Sequence, residues 1–230
     1  MAELPAEASE DPVVIFDCNG VLVDSEPLAT AILSQEFTRA GFPLTPDMIA
    51  RYFTGRRPAD MFADVEFATG RKLPAGFAAR VAESILRRFR SELRPTHHAG
   101  YALSWLRGPK CVASSSSLER IHVSLESTGL IRFFAPNLFS ASDVPNGKPA
   151  PDLLLHVADK MDVEPAACIV VEDSPVGVTA GVTAGMTVIG FAGASHAGSD
   201  TADQLRAAGA RDVITDLRAL KRAIIDLRGW

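Results

Sequence analysis

Short apolar runs that alternate with helical segments constrain the fold of this chain more than any other feature. Residues 13–16 form a β-branched run that stops abruptly at Asp17, which is typical of a buried strand. Further strand-like runs, most of them followed by a segment that favours a helix, lie at residues 110–114, 137–141, 168–172 and 187–190. This alternation predicts an α/β fold with a doubly wound, parallel, Rossmann-like sheet and helices on both of its faces.

The stretch from residue 42 to residue 93 differs from the rest because it contains no strand-like run. Pro46, Pro58 and Pro74 each favour the first turn of a helix, so this stretch is predicted to be all-helical. We therefore predict a helical cap inserted into an α/β core. The predicted parts are a loose tail at residues 1–11, a core of residues 12–27 and 96–230, and a cap of residues 28–95.

Charge and composition narrow the possible functions. The chain has a formal charge of −5 and no cluster of Lys and Arg, which argues against a nucleic-acid partner. No apolar run approaches the roughly 20 residues of a membrane span. The acidic start of the chain lacks the hydrophobic segment of a signal peptide, and no obligate protein partner is indicated. The three cysteines lack metal-ligand spacing and are expected to be buried, reduced thiols of a cytoplasmic protein: Cys18, Cys111 and Cys168.

Four polar clusters follow four of the predicted strands, at the sheet edge where open α/β folds bind ligands. In the first, Asp17 is followed closely by Gly20, which lets the backbone turn, and such a carboxylate can attack a phosphoryl group. The other clusters are a serine run at residues 114–117, Lys148, and the acid pair Glu172-Asp173.

Each of the other clusters suits one part of phosphoryl chemistry. Serine hydroxyls and free amides at a helix start can hold a phosphate. The Lys148 ammonium, between a glycine and a proline, can neutralise phosphate charge. The adjacent acids Glu172 and Asp173 suit a hard divalent cation such as Mg²⁺. Each cluster alone is a weak signal, but their order at successive strand ends is specific.

Together the clusters resemble the motifs of the haloacid dehalogenase superfamily, in the branch of sugar-phosphate phosphatases and β-phosphoglucomutases. The resemblance covers nearly the whole chain, and the helical insert is similar to the cap domain of that family. The motifs that carry it are Phe16-Asp17-Cys18-Asn19-Gly20-Val21, Val112-Ala113-Ser114-Ser115-Ser116, Gly147-Lys148-Pro149 and Val171-Glu172-Asp173-Ser174-Pro175.

The resemblance implies a role for each of these positions. Asp17 would be the nucleophile that forms an aspartyl-phosphate, and Lys148 would lie beside the phosphate held by Ser114 and the amide of Ser115. The implied ligands of Mg²⁺ are Asp17, the backbone carbonyl of Asn19, Glu172 and Asp173. The implied determinants of substrate specificity, in the cap loop that faces the core, are Arg56 and Arg57.

Asn19 departs from the family pattern, in which most members carry a second aspartate at this position. An amide cannot shuttle a proton, so the general acid and base step is expected to be impaired. The backbone carbonyl is unchanged by the replacement, so the metal site is expected to persist. We therefore expect Mg²⁺-dependent hydrolysis of a small phosphorylated metabolite, a sugar or sugar-acid phosphate, at a reduced rate.

Three other functions remain open. The mutases of the family carry a histidine at the position that falls on Ala29, and residues 1–94 contain no histidine, which argues against an isomerase. A phosphometabolite-binding protein without turnover would follow if Asn19 abolished catalysis. A dehalogenase is the least supported, because the acids of the Mg²⁺ site are features of the phosphoryl-transfer members. His196 follows a strand end, from which its side chain can reach the site.

Overall fold

A six-stranded parallel sheet forms the centre of the computed structural model, which describes residues 11–53 and 55–228. The strand order is β3-β2-β1-β4-β5-β6, and every neighbouring pair is parallel. The strands are β1 (Val13–Phe16), β2 (Lys110–Ser114), β3 (Leu138–Ser140), β4 (Cys168–Glu172), β5 (Thr187–Phe191) and β6 (Asp212–Ile214). The predicted doubly wound, parallel sheet is therefore confirmed.

Helices connect the strands and cover both faces of the sheet, because parallel neighbours need crossover connections. Those before β2 are α1 (Glu26–Arg39), α2 (Pro46–Phe53), α3 (Pro58–Thr69), α4 (Phe77–Glu92) and α5 (Ala99–Trp105). Those after β2 are α6 (Leu118–Ser127), α7 (Asp152–Lys160), α8 (Pro175–Thr183), α9 (Thr201–Ala207) and α10 (Leu220–Arg228).

The central strands are buried on both faces, and their side chains alternate between two hydrophobic cores. Val14 and Phe16 of β1 pack into one core, whereas Val13 and Ile15 pack into the other. The first core continues into the helices between β1 and β2. There Phe37, Phe62 and Phe77 form an aromatic cluster with ring centroids 4.9 to 5.9 Å apart.

In the described residues between β1 and β2, turns and loops join helices α1 to α5 and no strand occurs, although isolated β-bridges link Asn19 with Val23 and Val23 with Pro95, and this confirms the predicted helical insertion. Helix α4 begins at Phe77, so the predicted start at Pro74 is wrong. Gly76 adopts a left-handed conformation with φ 74°, which no helix can continue through. Helix α1 begins at Glu26 and runs across the predicted boundary between residues 27 and 28, and the division into core and cap stays a prediction.

Other expectations have simple outcomes. All three cysteines are buried and free of disulfide bonds, as predicted. In the described ranges, no helix is both long and apolar enough to cross a membrane. The predicted tail lies outside the described residues except for residue 11, and so does Thr54 of the cap loop.

Candidate active site

The site lies where the strand order reverses, between β1 and β4. Ligands of doubly wound sheets bind at this point because the connections on either side diverge and leave a crevice. Asp17 follows β1 directly, and its N–H donates to the carbonyl of Val171 at 3.0 Å. Glu172 ends β4, and Asp173 follows it. The predicted nucleophile and the predicted acid pair are thus neighbours across the sheet.

Gly20 lets the chain turn sharply beneath these carboxylates. It has φ 81°, and a Cβ atom built on it would lie 1.8 Å from Oδ2 of Asp173. No side chain fits this close approach of backbone to carboxylate, so glycine is required. The turn closes through the N–H of Gly20, which donates to the carbonyl of Val23 at 2.8 Å.

Lys148 links Asp17, the predicted nucleophile, to the acid pair. Its ammonium donates to Oδ1 of Asp17 at 2.7 Å and to Oε2 of Glu172 at 2.6 Å, and its side chain is only 2% exposed. Burial alone would lower the pKa of Lys148, but the charges of Asp17 and Glu172 and their hydrogen bonds raise it above its ordinary value. Lys148 is therefore a permanent cation beside Asp17.

Asp17, Glu172 and Asp173 form a buried cluster of acids, and Lys148 contacts the first two of them. One carboxylate oxygen from each lies within 4.8 Å of the others. Burial raises the pKa of Asp17 well above its ordinary value, against the opposing effect of Lys148. Burial also raises the pKa of Asp173 to about 7. Desolvated anions in excess of cations create a demand for further positive charge.

The donor atoms of this cluster fit Mg²⁺. All are hard oxygens, and Oδ2 of Asp173 is buried without a well-aligned hydrogen bond, although Nε2 of His196 lies 3.2 Å away. Asp17 and Asp173 are the acids best placed to hold the ion. Both oxygens of Glu172 already accept hydrogen bonds, Oε2 from Lys148 and Oε1 from the N–H and hydroxyl of Ser174. Glu172 therefore positions Lys148 and the start of α8.

Asn19 lies in a hydrogen-bond network that satisfies both ends of its amide. Nδ2 donates to Oγ of Ser116 at 2.9 Å, and Oδ1 accepts from the hydroxyl of Ser25 at 3.1 Å. Its side chain faces the same cavity as Asp17.

The serine run contributes differently along its length. Ser114 is fully buried, and its hydroxyl accepts from the N–H of Ser116 at 3.3 Å. Ser115 and Ser116 line the cavity, and the hydroxyl of Ser115 donates to the carbonyl of Gly55 at 2.9 Å. Ser117 caps α6. The contact of Ser115 with Gly55 joins the predicted cap loop to the core.

The two arginines of the cap loop have different surroundings. Arg56 lines the cavity that holds Asp17 and Asn19, and it pairs with Asp64 of α3. Arg57 pairs with Asp60 at 2.8 Å, and its Nη1 donates to the carbonyl of Pro145 in the loop before Lys148 at 3.2 Å. Arg56 therefore faces the site, whereas Arg57 connects the cap loop to the core.

The polar side chains around the cavity that carry no prediction as site residues include Glu26, Thr30, Ser174 and Arg120. Glu26 and Arg120 lie on helices, and ordinary helix surfaces carry the same residue types, so their sequence gives no signal. His196 does reach Asp173. Its loop is held by a hydrogen bond from the hydroxyl of Ser195 to Oδ1 of Asp24 at 2.6 Å.

Known proteins are similar to this chain in sequence and in fold. A 6-phosphogluconate phosphatase of Escherichia coli (strain K12) is 33% identical over 184 residues, which cover 80% of this chain and 83% of that protein. A haloacid dehalogenase-like protein of Agrobacterium tumefaciens superposes with a TM-score of 0.80 at 36% identity and covers 95% of this chain and 99% of its own. A provisional β-phosphoglucomutase of Thermotoga maritima superposes with a TM-score of 0.70 at 27% identity, covering 94% and 99%.

The motifs, the site between β1 and β4 and these relatives all indicate the same protein family. The model of the haloacid dehalogenase-like hydrolase family matches residues 12–185, which include all four polar clusters. This chain therefore belongs to the haloacid dehalogenase-like hydrolase family, in the branch of sugar-phosphate phosphatases and β-phosphoglucomutases.

Proposed function

We propose that this chain is a Mg²⁺-dependent phosphatase for a small phosphorylated sugar or sugar acid, slowed by Asn19. The observation that supports it most is the buried contact of Lys148 with Asp17, beside the unsatisfied carboxylate oxygen of Asp173. A nucleophilic carboxylate, a fixed cation and a ligand oxygen for Mg²⁺ are what phosphoryl transfer requires. The name of the E. coli relative, a phosphatase of a phosphorylated sugar acid, is consistent with this class of substrate.

In the proposed reaction, a carboxylate oxygen of Asp17 attacks phosphorus, and the bond from phosphorus to the ester oxygen breaks. The leaving oxygen takes a proton from solvent water, because the amide of Asn19 cannot supply one, and an aspartyl-phosphate remains on Asp17. Water then attacks the phosphorus and gives its proton to solvent water, and the bond from phosphorus to Asp17 breaks, which releases inorganic phosphate and the free carboxylate. Lys148 neutralises charge on the phosphoryl oxygens throughout, while Ser114 and the amide of Ser115 hold the group in line.

Asp17, Asp173 and the backbone carbonyl of Asn19 would hold Mg²⁺, with Glu172 as a further predicted ligand. The ion supplies electrostatic stabilisation of the phosphoryl group when it is bound. Its charge also favours the anionic form of Asp17, which burial opposes. The substrate must enter the site from solvent. The cap loop around Arg56 would therefore be open before binding and would close over the substrate afterwards.

A second candidate is a phosphometabolite-binding protein with negligible turnover. The satisfied amide of Asn19 favours it, because neither end of that side chain offers or accepts a proton in a catalytic cycle. Isomerase activity finds less support. The family's histidine position corresponds to Ala29, whose methyl group is buried against the cavity. A cytoplasmic location and the absence of nucleic-acid or obligate protein partners stay predictions.

The test is release of inorganic phosphate from a panel of phosphorylated metabolites, with and without Mg²⁺. We expect slow hydrolysis that requires Mg²⁺ and disappears in Asp17→Asn, which preserves the shape of the nucleophile. Equilibrium binding of the same compounds to Asp17→Asn separates the two candidates. Binding without any hydrolysis by the unaltered chain would favour the second, and neither binding nor hydrolysis would overturn both.

A further inference from the structure

Arg120 is a cation of the cavity that the proposed mechanism does not use. It lies in the first turn of α6 and lines the same cavity as Asp17, Asn19 and Asp173. Arginine keeps its charge in proteins, and a guanidinium presents a rigid fork of donors that matches a carboxylate. A charge of this kind in a largely buried position is expected to have an anionic partner.

No such partner occurs in the described part of the chain. Nε of Arg120 is buried without a hydrogen bond, and no acidic side chain forms an ion pair with the guanidinium. The two cap arginines differ in this respect, because Arg56 pairs with Asp64 and Arg57 with Asp60. The acid with the strongest field at Arg120 is Glu26, but the two do not come into salt-bridge contact.

The position of the guanidinium is already fixed. Its Cζ atom lies 4.9 Å from the ring centroid of Phe89, which is fully buried in α4 of the helical insertion. A cation held against an aromatic face loses little further freedom when it binds an anion. Arg120 is thus a preorganised donor with unused hydrogen-bonding capacity.

Its place in the cavity indicates which part of a substrate it can meet. Arg120, Ser115, Ser116 and Pro58 also line a second cavity of about 400 Å³ between the helical insertion and the start of α6. Lys148 and Asp17 do not line that second cavity. The guanidinium therefore borders both cavities, so a leaving group that extends from Asp17 toward the second cavity would pass beside it.

We propose that Arg120 binds a carboxylate on the leaving group, so that the chain selects phosphomonoesters of sugar acids over those of neutral sugars. This inference rests on the proposed function and narrows its substrate class. Glu26, which lines the same cavity, would accept hydrogen bonds from substrate hydroxyls rather than compete for the cation. A polyhydroxylated acid carries both kinds of group.

The test compares a hexonate 6-phosphate with the corresponding hexitol 6-phosphate, which differ in a carboxylate and a hydroxymethyl group at the far end. We expect kcat/KM to favour the hexonate by roughly tenfold to a hundredfold, because the neutral ester leaves the guanidinium unpaired. Asn19→Asp serves as the parent chain if the unaltered one is too slow to measure.

Arg120→Gln should remove most of this preference, and Arg120→Lys should retain part of it, since lysine keeps the charge without the fork. Arg222→Gln is the matched control, because Arg222 is an exposed arginine of α10 paired with Asp226. It should leave the preference unchanged. Competitive inhibition by free hexonate gives a second readout, which should weaken in Arg120→Gln and needs no phosphate in the ligand.

Three outcomes are decisive. Equal hydrolysis of the two esters by the parent chain would overturn the inference even if Arg120→Gln failed to fold. An equal loss on both esters in Arg120→Gln would also overturn it, because Arg120 would then serve the phosphate or the packing on Phe89. Absence of hydrolysis of any phosphomonoester, in the parent chain and in Asn19→Asp alike, would instead overturn the proposed function itself.

Discussion

At the scale of single residues, the proposed loss of proton transfer depends on the side chain of Asn19. Its two hydroxyl neighbours, Ser25 and Ser116, can each donate or accept a hydrogen bond. An aspartate of the same shape could therefore accept from both hydroxyls without moving. The network tolerates either residue, but only the carboxylate can exchange a proton with a leaving group or with water.

Asn19→Asp is expected to raise turnover of sugar phosphates. Positioned general acid–base catalysis contributes roughly 10²–10⁴-fold, or about 3–5 kcal/mol of barrier. The gain should be largest for alkyl esters, whose alkoxide leaving groups need the proton most, and smaller for aryl phosphates. Steady-state kinetics on both ester types, with circular dichroism as a fold control, measures it. Unchanged hydrolysis of alkyl esters in a folded variant would exclude position 19 as the shuttle.

The two arginines of the cap loop should be separable by mutation. Arg56 faces the cavity, so Arg56→Ala should alter the ranking of substrates more than the turnover of a minimal aryl phosphate. Arg57 instead contacts Pro145, and a Cβ atom on Gly147 would lie 2.6 Å from its Nε. Arg57→Ala should therefore lower kcat/KM for all substrates alike. Identical kinetic profiles for the two variants would contradict this division.

At the scale of secondary-structure elements, the strand ends and the turns and loops that follow them position the candidate catalytic residues. The ends of β1, β2 and β4 could be predicted because apolar runs stop at polar residues there. Strand β6 has three residues, only Ile214 of them buried, and such a strand leaves no recognisable pattern. Pairing with β5 rather than local sequence makes it a strand.

Only part of the candidate site could be predicted from the sequence, as was the case for the strands. Asp17 and Asp173 directly follow strands and Glu172 ends β4, so the sheet brings these three acids together, whereas Lys148 reaches them from the loop between β3 and α7. Arg120 and Glu26 reach the cavity from helices, through the packing of one helix against another. That packing depends on contacts between residues far apart in the chain, which a local pattern does not specify.

Substitution of Gly55 tests how closely the cap loop must approach the core. It has φ 79°, and a Cβ atom on it would lie 2.5 Å from Oγ of Ser174 and 2.9 Å from Cγ2 of Val176. Gly55→Ala should hold the loop away from the site, and a misplacement of about 1 Å can cost roughly 10²-fold in rate. The expected result is a large fall in kcat/KM for every phosphomonoester.

Gly70→Ala is the matched control for Gly55→Ala. Gly70 also has a left-handed conformation, with φ 63°, but a Cβ atom there meets nothing within 4 Å. Both variants should lose about 1–2 kcal/mol of stability from backbone strain, which thermal unfolding measures. A fall in kcat/KM should occur in Gly55→Ala alone, and an equal fall in Gly70→Ala would attribute the effect to general destabilisation.

At the scale of the whole molecule, the core and the helical insertion enclose more negative than positive charge. Asp17, Glu172 and Asp173 are all buried. Among the described residues, Lys148 is the one cation in direct contact with Asp17 and Glu172. The fold thus carries an electrostatic cost in its metal-free form. A cation that binds the native state alone should repay this cost and stabilise the entire fold, by mass action.

Mg²⁺ is therefore expected to stabilise the fold, and Asp173→Asn should separate this effect from general salt effects. At 100 times the dissociation constant, binding contributes about 2.7 kcal/mol, or roughly 5–10 °C in melting temperature for a chain of this size. Burial raises the pKa of Asp173 to about 7, which shows that its charge is costly in the metal-free protein. The amide of Asp173→Asn carries no charge, so this variant should be at least as stable as the parent without metal and should gain little from Mg²⁺.

Thermal unfolding of the parent chain and of Asp173→Asn, in chelator and in Mg²⁺ at constant ionic strength, measures the two effects. Asp226→Asn is an exposed control that should respond to Mg²⁺ as the parent does. An equal Mg²⁺ response in Asp173→Asn would place the ion elsewhere, and a less stable metal-free Asp173→Asn would mean that the carboxylate stabilises the fold without the ion.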